Sequence, residues 1–390
     1  MSAPELDVLV IGGGIHGVGV AQAAAARGHS TLVVEQSALA AGTSSRSSKL
    51  IHDGLRYLES FQLGLVHESV AERELLLCNA PSLVRLVPFI IPIYDQTSRG
   101  PRKVRAGLSL YALLGGLHAH SRFAALPREE WDSLDGLTTD GLRAVFRYFD
   151  GQTDDAALCR AVMRSALELG AELACPARFV GAELRAGGYT VAIREGDAER
   201  TLAARTVVNA AGPWVEDTRA LVSPLPPGMA IELVRGTHIE LSGNIERGIY
   251  YAEAPADRRA VFTMPWRGHT LVGTTEARHD GPPADVAPSA EEIEYLQATF
   301  TRHFPGRSTD VRDSWAGLRV LPAATGAAFS RPRETHLIPD DRAFPRWLGL
   351  YGGKLTGYRA TAEKVLDRLR PSLPVRPRVA DTRRLSLTAD

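Results

Sequence analysis

The 390-residue sequence predicts a mixed α/β (α+β) fold, in which a layer of alternating strands and helices is interleaved with a β-rich second domain. Three observations predict it. Residues 6–35 read as strand, glycine turn, helix, strand and acid. A second glycine-rich strand-to-helix junction, Gly352-Gly353-Lys354-Leu355-Thr356-Gly357, follows the apolar run Trp347 to Tyr351. From about Leu221 to Val311 the chain is a series of short apolar runs separated by Pro and Gly.

In the first unit, Leu6-Asp7-Val8-Leu9-Val10-Ile11 is apolar and rich in β-branched residues, and it leads directly into Gly12-Gly13-Gly14-Ile15-His16-Gly17. Gly12 suits the tight turn, Gly14 the close approach of a pyrophosphate, and Gly17 the packing of helix on strand. The alanine-rich stretch Val18 to Arg27 is the helix, ended by Gly28, and its N-terminal N–H groups would face the phosphates. Thr31 to Val34 is the second strand, and Glu35 lies where a carboxylate accepts ribose hydroxyls. This Rossmann-like unit does not by itself separate NAD from FAD.

Composition narrows the class. The length suggests two domains. Hydrophobic content of 44% with 23% charged residues is that of an ordinary globular protein. Lys plus Arg and Asp plus Glu are both 45, so nothing points to nucleic acid as a partner. Cys78, Cys159 and Cys175 show no CxxC spacing, which argues against a disulfide framework or zinc site and fits a reducing, cytoplasmic setting. No secretory signal and no bilayer-spanning run is expected.

Ala41 to Lys49 is small and polar and reads as a loop laid along a ligand. It continues into Leu50 to Leu58, whose His52, Arg56 and Tyr57 are unusual in a solvated loop. Leu63 to Asn79 is a helix ended by Pro81, and Leu86 to Tyr94, with two prolines, an edge strand. Arg99, Arg102, Lys103 and Arg105 precede an apolar helix that either touches an anionic membrane surface or packs on the protein with a solvated basic start. Thr153 to Gly170 is a second helix, capped by Thr153 or Asp154. Glu172 to Ala174, Arg178 to Val180 and Tyr189 to Arg194 are short strands, and Thr206 to Asn209 is a buried one running into Ala210-Ala211-Gly212-Pro213-Trp214. A helix is expected near Ala290 to Arg302, and Ser314 to Pro322 returns the chain to the first layer. Residues beyond Pro371, rich in Pro and Arg, read as a poorly ordered tail. The second glycine junction favours FAD over a nicotinamide: a reduced flavin ring carries negative charge that a helix N-terminus stabilises.

With these segments in place, the chain resembles the FAD-dependent glycerol-3-phosphate dehydrogenases, within the D-amino-acid-oxidase-like flavoproteins. The resemblance is collinear from about residue 6 to 368. It rests on Val10 to Ile15, Thr43-Ser44-Ser45, Ser47 to His52, Gly54 to Glu59, Ala71-Glu72-Arg73-Glu74, Asn209 to Trp214, Arg235 to Ile239, Val272 to Thr275 and Gly352 to Thr356. It implies a Rossmann-like FAD-binding domain (1–85, 150–220 and 312–372) interleaved with a β-rich substrate-binding domain (86–149 and 221–311), and a tail at 373–390. It also implies FAD as cofactor and oxidation of sn-glycerol 3-phosphate to dihydroxyacetone phosphate by hydride transfer to flavin N5. Electrons would pass to a quinone or another acceptor, with peripheral contact at the inner face of the cytoplasmic membrane.

Carried over by motif, Arg56, Arg319, Lys354 and Arg333 surround the substrate, with Tyr57 and His238 nearby; Arg331 is the neighbouring alternative to Arg333. Arginine suits a phosphate clamp because its fork matches oxygens in pairs. His238 is the candidate base and His52 the second. The expected cofactor contacts begin with Gly12, Gly14, Ile15, Gly17 and Glu35. They continue with Thr43, Ser44, Ser45, Ser47, Lys49 and Gly54, then Phe179, Val180, Ala211, Gly212 and Trp214, and finally Gly353, Lys354, Leu355 and Thr356. Three departures bear on function. Asp53 stands where the family usually has glycine, Leu318 and Val320 flank Arg319 in place of the usual Val and Pro, and relatives continue into a C-terminal helical domain beyond the point where this chain stops. That last difference leaves oligomeric state and membrane attachment open. The alternative activity is an FAD-dependent oxidase or dehydrogenase of a 2-hydroxy acid or amino acid, which needs one arginine fork where a phosphate wants several cations. A flavin-binding subunit without catalysis is a third reading.

Overall fold

A computed structural model describes residues 5–52, 63–114, 121–323 and 334–389. In chain order it begins with β1 (Leu6–Ile11), α1 (Ile15–Ala26), β2 (Thr31–Val34), β3 (Leu50–Ile51), α2 (Leu63–Asn79), β4 (Val84–Tyr94), α3 (Pro101–Leu114), β5 (Ala124–Ala125), β6 (Leu142–Thr153) and α4 (Asp155–Glu168). Next come β7 (Glu172–Ala174), β8 (Arg178–Arg185), β9 (Gly188–Glu195), β10 (Ala198–Asn209), α5 (Val215–Arg219), β11 (Val222–Ser223), β12 (Ile231–Leu241), β13 (Ile249–Glu253), β14 (Ala260–Trp266), β15 (His269–Gly273) and β16 (Ala277–His279). The chain closes with α6 (Ala290–His303), β17 (Val311–Pro322), β18 (His336–Pro339), β19 (Trp347–Tyr351) and α7 (Tyr358–Leu369).

The first of two sheets has a parallel centre, β19-β10-β1-β2-β7. Covered on both faces, β1 is buried at every residue, which explains its unbroken apolar run. One face carries α1, α4 and α7. Helix α1 is buried around nearly its whole circumference, and its small residues allow this close packing. At Gly17 the approach is closest: a Cβ there would lie 1.9 Å from the carbonyl oxygen of Gly12. Helix α4 is capped as its sequence foretells, with the Asp154 carboxylate accepting the Ala157 N–H and Gly170 turning the chain at φ +93°.

The second sheet runs β16-β12-β15-β14-β13-β4-β6-β3, with β17 along β12 and β5 on β6. Helix α6 closes one face through Leu296 and Phe300. On the other face, Val66 and Val70 of α2 and Leu108 and Tyr111 of α3 join Phe89 and Ile91 of β4. Among the described residues no helix is long and apolar enough to cross a membrane.

Three expectations change. Strand β4 is not an edge strand: it lies between β6 and β13, and the β13 ladder reaches only Phe89 and Ile90, so Pro88 and Pro92 flank it without removing a donor from it. Strand β17 does not return to the first sheet, because it pairs antiparallel with β12 from Ile231↔Pro322 to Leu241↔Val311; β3 likewise pairs with β6 in the second sheet. The chain beyond Pro371 is ordered. Val379 and Ala380 donate N–H bonds to Ala26 O, the Leu387 N–H donates to Asn79 O, and the Leu387 side chain is buried in the α1/α4/α7 core. Arg376 and Arg378 pair with Asp7 and Glu363. The prolines keep this segment extended while Leu387 anchors it.

If the segment belongs to the core, Leu387→Ala costs about 2–5 kcal/mol, the usual range for a buried leucine. Thermal unfolding of wild-type and variant checks this; an unchanged Tm would show that the segment is not part of the cooperative unit.

Candidate active site

A cavity of about 860 Å³ runs between the two sheets. One end is formed by Glu35, Gln36 and Ser37 after β2, with Ala177 and Phe179 at the start of β8. Its middle is the first glycine turn, Gly12, Gly14 and Ile15, facing Ser44. The Ile15 N–H at the start of α1 donates to Ser44 Oγ at 2.9 Å. Glu35 accepts the Gly13 N–H at 2.7 Å through one oxygen and the Ser37 N–H at 2.9 Å through the other, so the acid braces the turn it follows. Gly353, Lys354, Leu355 and Thr356, ahead of α7, line the cavity further along. Ala211, Gly212 and Trp214 close a side. An elongated cavity with an acid after the second strand, a helix N-terminus at its middle and a second glycine turn beyond fits a dinucleotide.

The loop along this cavity is fixed from behind. Lys49, buried and at φ +60°, donates through Nζ to Asp155 Oδ1 at 2.7 Å and to Ser45 O. The other Asp155 oxygen accepts the Ser47 N–H at 3.0 Å and the Ser47 hydroxyl at 2.6 Å. Asp155, wholly buried, is the first residue of α4. The loop is thereby tied to the helical face of the first sheet. Thr43 donates to Leu318 O at 2.7 Å and Thr356 to His52 O at 3.1 Å, which ties it to β17 and to the second glycine turn.

The second sheet supplies the other wall. His238 in β12 is buried, stacks on Trp315 with centroids 5.8 Å apart, and has Nε2 2.9 Å from Ser48 Oγ. Burial lowers its pKa to about 3, with the charges of Arg319 and Lys49 adding to the effect, so the imidazole is neutral. Arg319 in β17 donates to Thr274 Oγ1 at 3.1 Å and lies 3.8 Å from Glu276. Gly236 makes room for it, since a Cβ there would lie 2.7 Å from Arg319 Nη2. Arg259, just before β14, lines the cavity and pairs with Glu276 at 2.9 Å. His52 meets Phe262 edge-on at 5.3 Å. Asp150 is buried, held by Arg73 at 3.0 Å, and has its pKa raised by burial against the pull of Arg73.

Of the residues expected from sequence, Gly12, Gly14, Ile15, Glu35, Thr43, Ser44, Ser47, Phe179, Ala211, Gly212, Trp214, His52, His238, Arg319 and the Gly353–Thr356 turn line one cavity. Gly17, Ser45, Lys49 and Val180 do not. Gly17 serves helix packing, and the Lys49 ammonium is committed to Asp155. Arg56, Tyr57, Gly54, Asp53, Arg331 and Arg333 lie outside the described residues. Sequence reasoning missed Arg259, Glu276 and Asp150. Arg259 follows Asp257-Arg258, a charged run that reads as a turn. Asp150 offered a usable signal, an acid ending the run Phe146 to Phe149.

The model of the family described as FAD dependent oxidoreductase matches residues 7–353. The chain belongs to this family. A glycerol-3-phosphate dehydrogenase of Pseudomonas aeruginosa is 38% identical, over 95% of this chain and 72% of the relative. A D-erythritol 1-phosphate dehydrogenase of Brucella abortus is 37% identical, over 96% of this chain and 76% of the relative. The solved structure of glycerol-3-phosphate dehydrogenase from Bacillus halodurans, complexed with FAD, is 28% identical with a TM-score of 0.71; the match covers 95% of this chain and 66% of that one. The cofactor of this FAD-dependent oxidoreductase is FAD, and the cavity residues agree with it.

Two predictions follow from the buried groups. Asp155→Ala strands the Lys49 ammonium and should cost about 3–5 kcal/mol; denaturant unfolding checks the loss, and a cost below about 1 kcal/mol would mean that the pair does not hold the loop. His238 has a folded pKa near 3 against 6.5 unfolded. Between those values the unfolded chain binds the extra proton, so stability is full above pH 6.5 and falls as pH drops towards 3. His238→Asn should flatten that acid slope in unfolding curves, and an unaltered slope would contradict a buried neutral histidine.

Proposed function

We propose that this enzyme oxidises sn-glycerol 3-phosphate to dihydroxyacetone phosphate and passes the electrons to a quinone or another acceptor. The observation that carries the reading is the meeting, in one cavity with the dinucleotide turns, of Arg259, Arg319, Lys354 and a neutral His238. The relative from Pseudomonas aeruginosa, named glycerol-3-phosphate dehydrogenase, supports it. A carboxylate substrate needs one guanidinium fork, so this cation set argues for a phosphate ester.

Bound FAD supplies the two-electron acceptor for the hydride that leaves the carbinol carbon. The protein has three tasks. Arg319 and Lys354 hold the phosphate end, which fixes the carbinol carbon in place. His238 takes the hydroxyl proton. Ser48 lines the cavity and contacts Nε2, so the proton passes from substrate oxygen to Ser48 Oγ while the serine's own proton moves to the imidazole. The phosphate charge offsets Arg319, one of the causes that lower the His238 pKa, and so makes the imidazole a better base when substrate is present. The Gly353 to Thr356 turn lines the cavity ahead of α7, where free backbone N–H groups of a helix start would stabilise the negative charge of a reduced ring. In this reading Arg56, Tyr57 and Arg333 complete the substrate contacts. Peripheral contact with the cytoplasmic face of a membrane would use α3, where Arg102, Lys103, Arg105 and Leu113 are exposed while Leu108, Tyr111 and Ala112 face the protein.

The test is anaerobic titration of the holoprotein with glycerol 3-phosphate, D-erythritol 1-phosphate, glycerol, L-lactate and a D-amino acid, following the visible flavin absorbance. Glycerol 3-phosphate should bleach it. Bleaching by the four-carbon ester in its place would follow the Brucella relative, whereas bleaching by lactate or the amino acid would replace the reading with oxidation of a carboxylate substrate. Arg319→Ala should lower kcat/KM by about two orders of magnitude with FAD retained. Turnover near the wild-type rate would remove Arg319 from the clamp.

A further inference from the structure

Arg259 belongs to none of the motifs that point to the chemistry, yet it stands at the cavity beside Arg319. It precedes β14, and its carbonyl accepts the Ala254 N–H at 2.7 Å, which closes the turn between β13 and β14. Its Nη2 is 2.9 Å from Glu276 Oε2. The second oxygen of the same carboxylate is 3.8 Å from Arg319 Nη1. The Glu276 side chain is 5% exposed, whereas those of Arg259 and Arg319 are 20% and 22% exposed. One carboxylate therefore sits behind two guanidinium groups that reach the cavity. Both guanidinium groups are thereby held at one stretch of the cavity wall, where screening is weaker than on an open surface.

We infer that Arg259 is a second anion-binding residue, paired with Arg319 through Glu276 as the positioning carboxylate, and that the pair selects a phosphate monoester over a carboxylate. This rests on the reading of the substrate as a polyol phosphate. A phosphate monoester carries about −1.5 to −2 charge at pH 7 and three terminal oxygens, enough to engage two forks. A carboxylate has one negative charge and two oxygens, and one fork satisfies it. Because Glu276 contacts both guanidinium groups, it sets their separation.

The experiment compares wild-type holoprotein with Arg259→Gln and Arg259→Lys. It measures KM and kcat for glycerol 3-phosphate, the Kd of inorganic phosphate from the perturbation of the flavin spectrum, FAD content and Tm. The expected result for Arg259→Gln is a rise of about 10- to 100-fold in both KM and phosphate Kd, with kcat within about threefold of wild type and FAD content unchanged. Arg259→Lys should recover part of the loss, because it restores the charge but not the fork. A lowered Tm with KM and phosphate Kd within about twofold of wild type would overturn the inference and leave Arg259 as a strand staple. If glycerol 3-phosphate fails to reduce the wild-type flavin, the substrate reading fails. The phosphate Kd then still decides the arginine pair: weaker binding in Arg259→Gln supports it, and equal binding overturns it.

Discussion

The buried contact between Lys49 and Asp155 governs the site. Asp155 opens α4 on the first sheet, and Lys49 closes the loop that enters β3 of the second. Breaking such a pair by removing one partner costs about 3–5 kcal/mol, because a charge is left buried without compensation. The same loop carries Ser44 to the N-terminus of α1 and Ser48 to His238. One ion pair thus sets both the phosphate end of the cofactor cavity and the histidine end of the substrate wall.

Around that loop the two sheets divide the work. The first provides N–H groups and small residues, which suit a ligand that must approach backbone closely. The second provides side chains on long antiparallel strands, with His238 of β12 directly opposite Trp315 of β17 in register and Arg319 further along the same strand. Rigid strands hold such groups more firmly than loops do. Charge is arranged with similar economy. His238 is kept neutral by burial, while Arg259 and Arg319 share one carboxylate at the cavity wall.

Much of this was legible beforehand where local rules operate. Helix α2 and strands β12 and β19 begin and end where periodicity and breakers place them, and Asp154 caps α4. Local rules failed where a neighbour distant in sequence decided. Proline content marked Leu86 to Tyr94 as an edge, but the strand lies inside a sheet whose next ladder avoids both prolines. The chain beyond Pro371 looked unanchored, yet Leu387 finds the α1/α4/α7 core. Lys49 lies in a motif that reads as ligand-contacting, and only the position of Asp155, more than a hundred residues away, shows that its charge is already used.

The sequence by itself determined the dinucleotide turn, the second glycine junction and the chemical kinds of group available. Each is written in consecutive residues whose backbone preferences and spacing act locally. Tertiary structure alone decided which charges face the ligand. Glu276 pairs with two arginines, one in β17 and one in the turn ahead of β14, and Ser48 meets a histidine 190 positions later. Ion pairing and burial depend on distance in space, and that distance exists only once the two sheets have closed on one another.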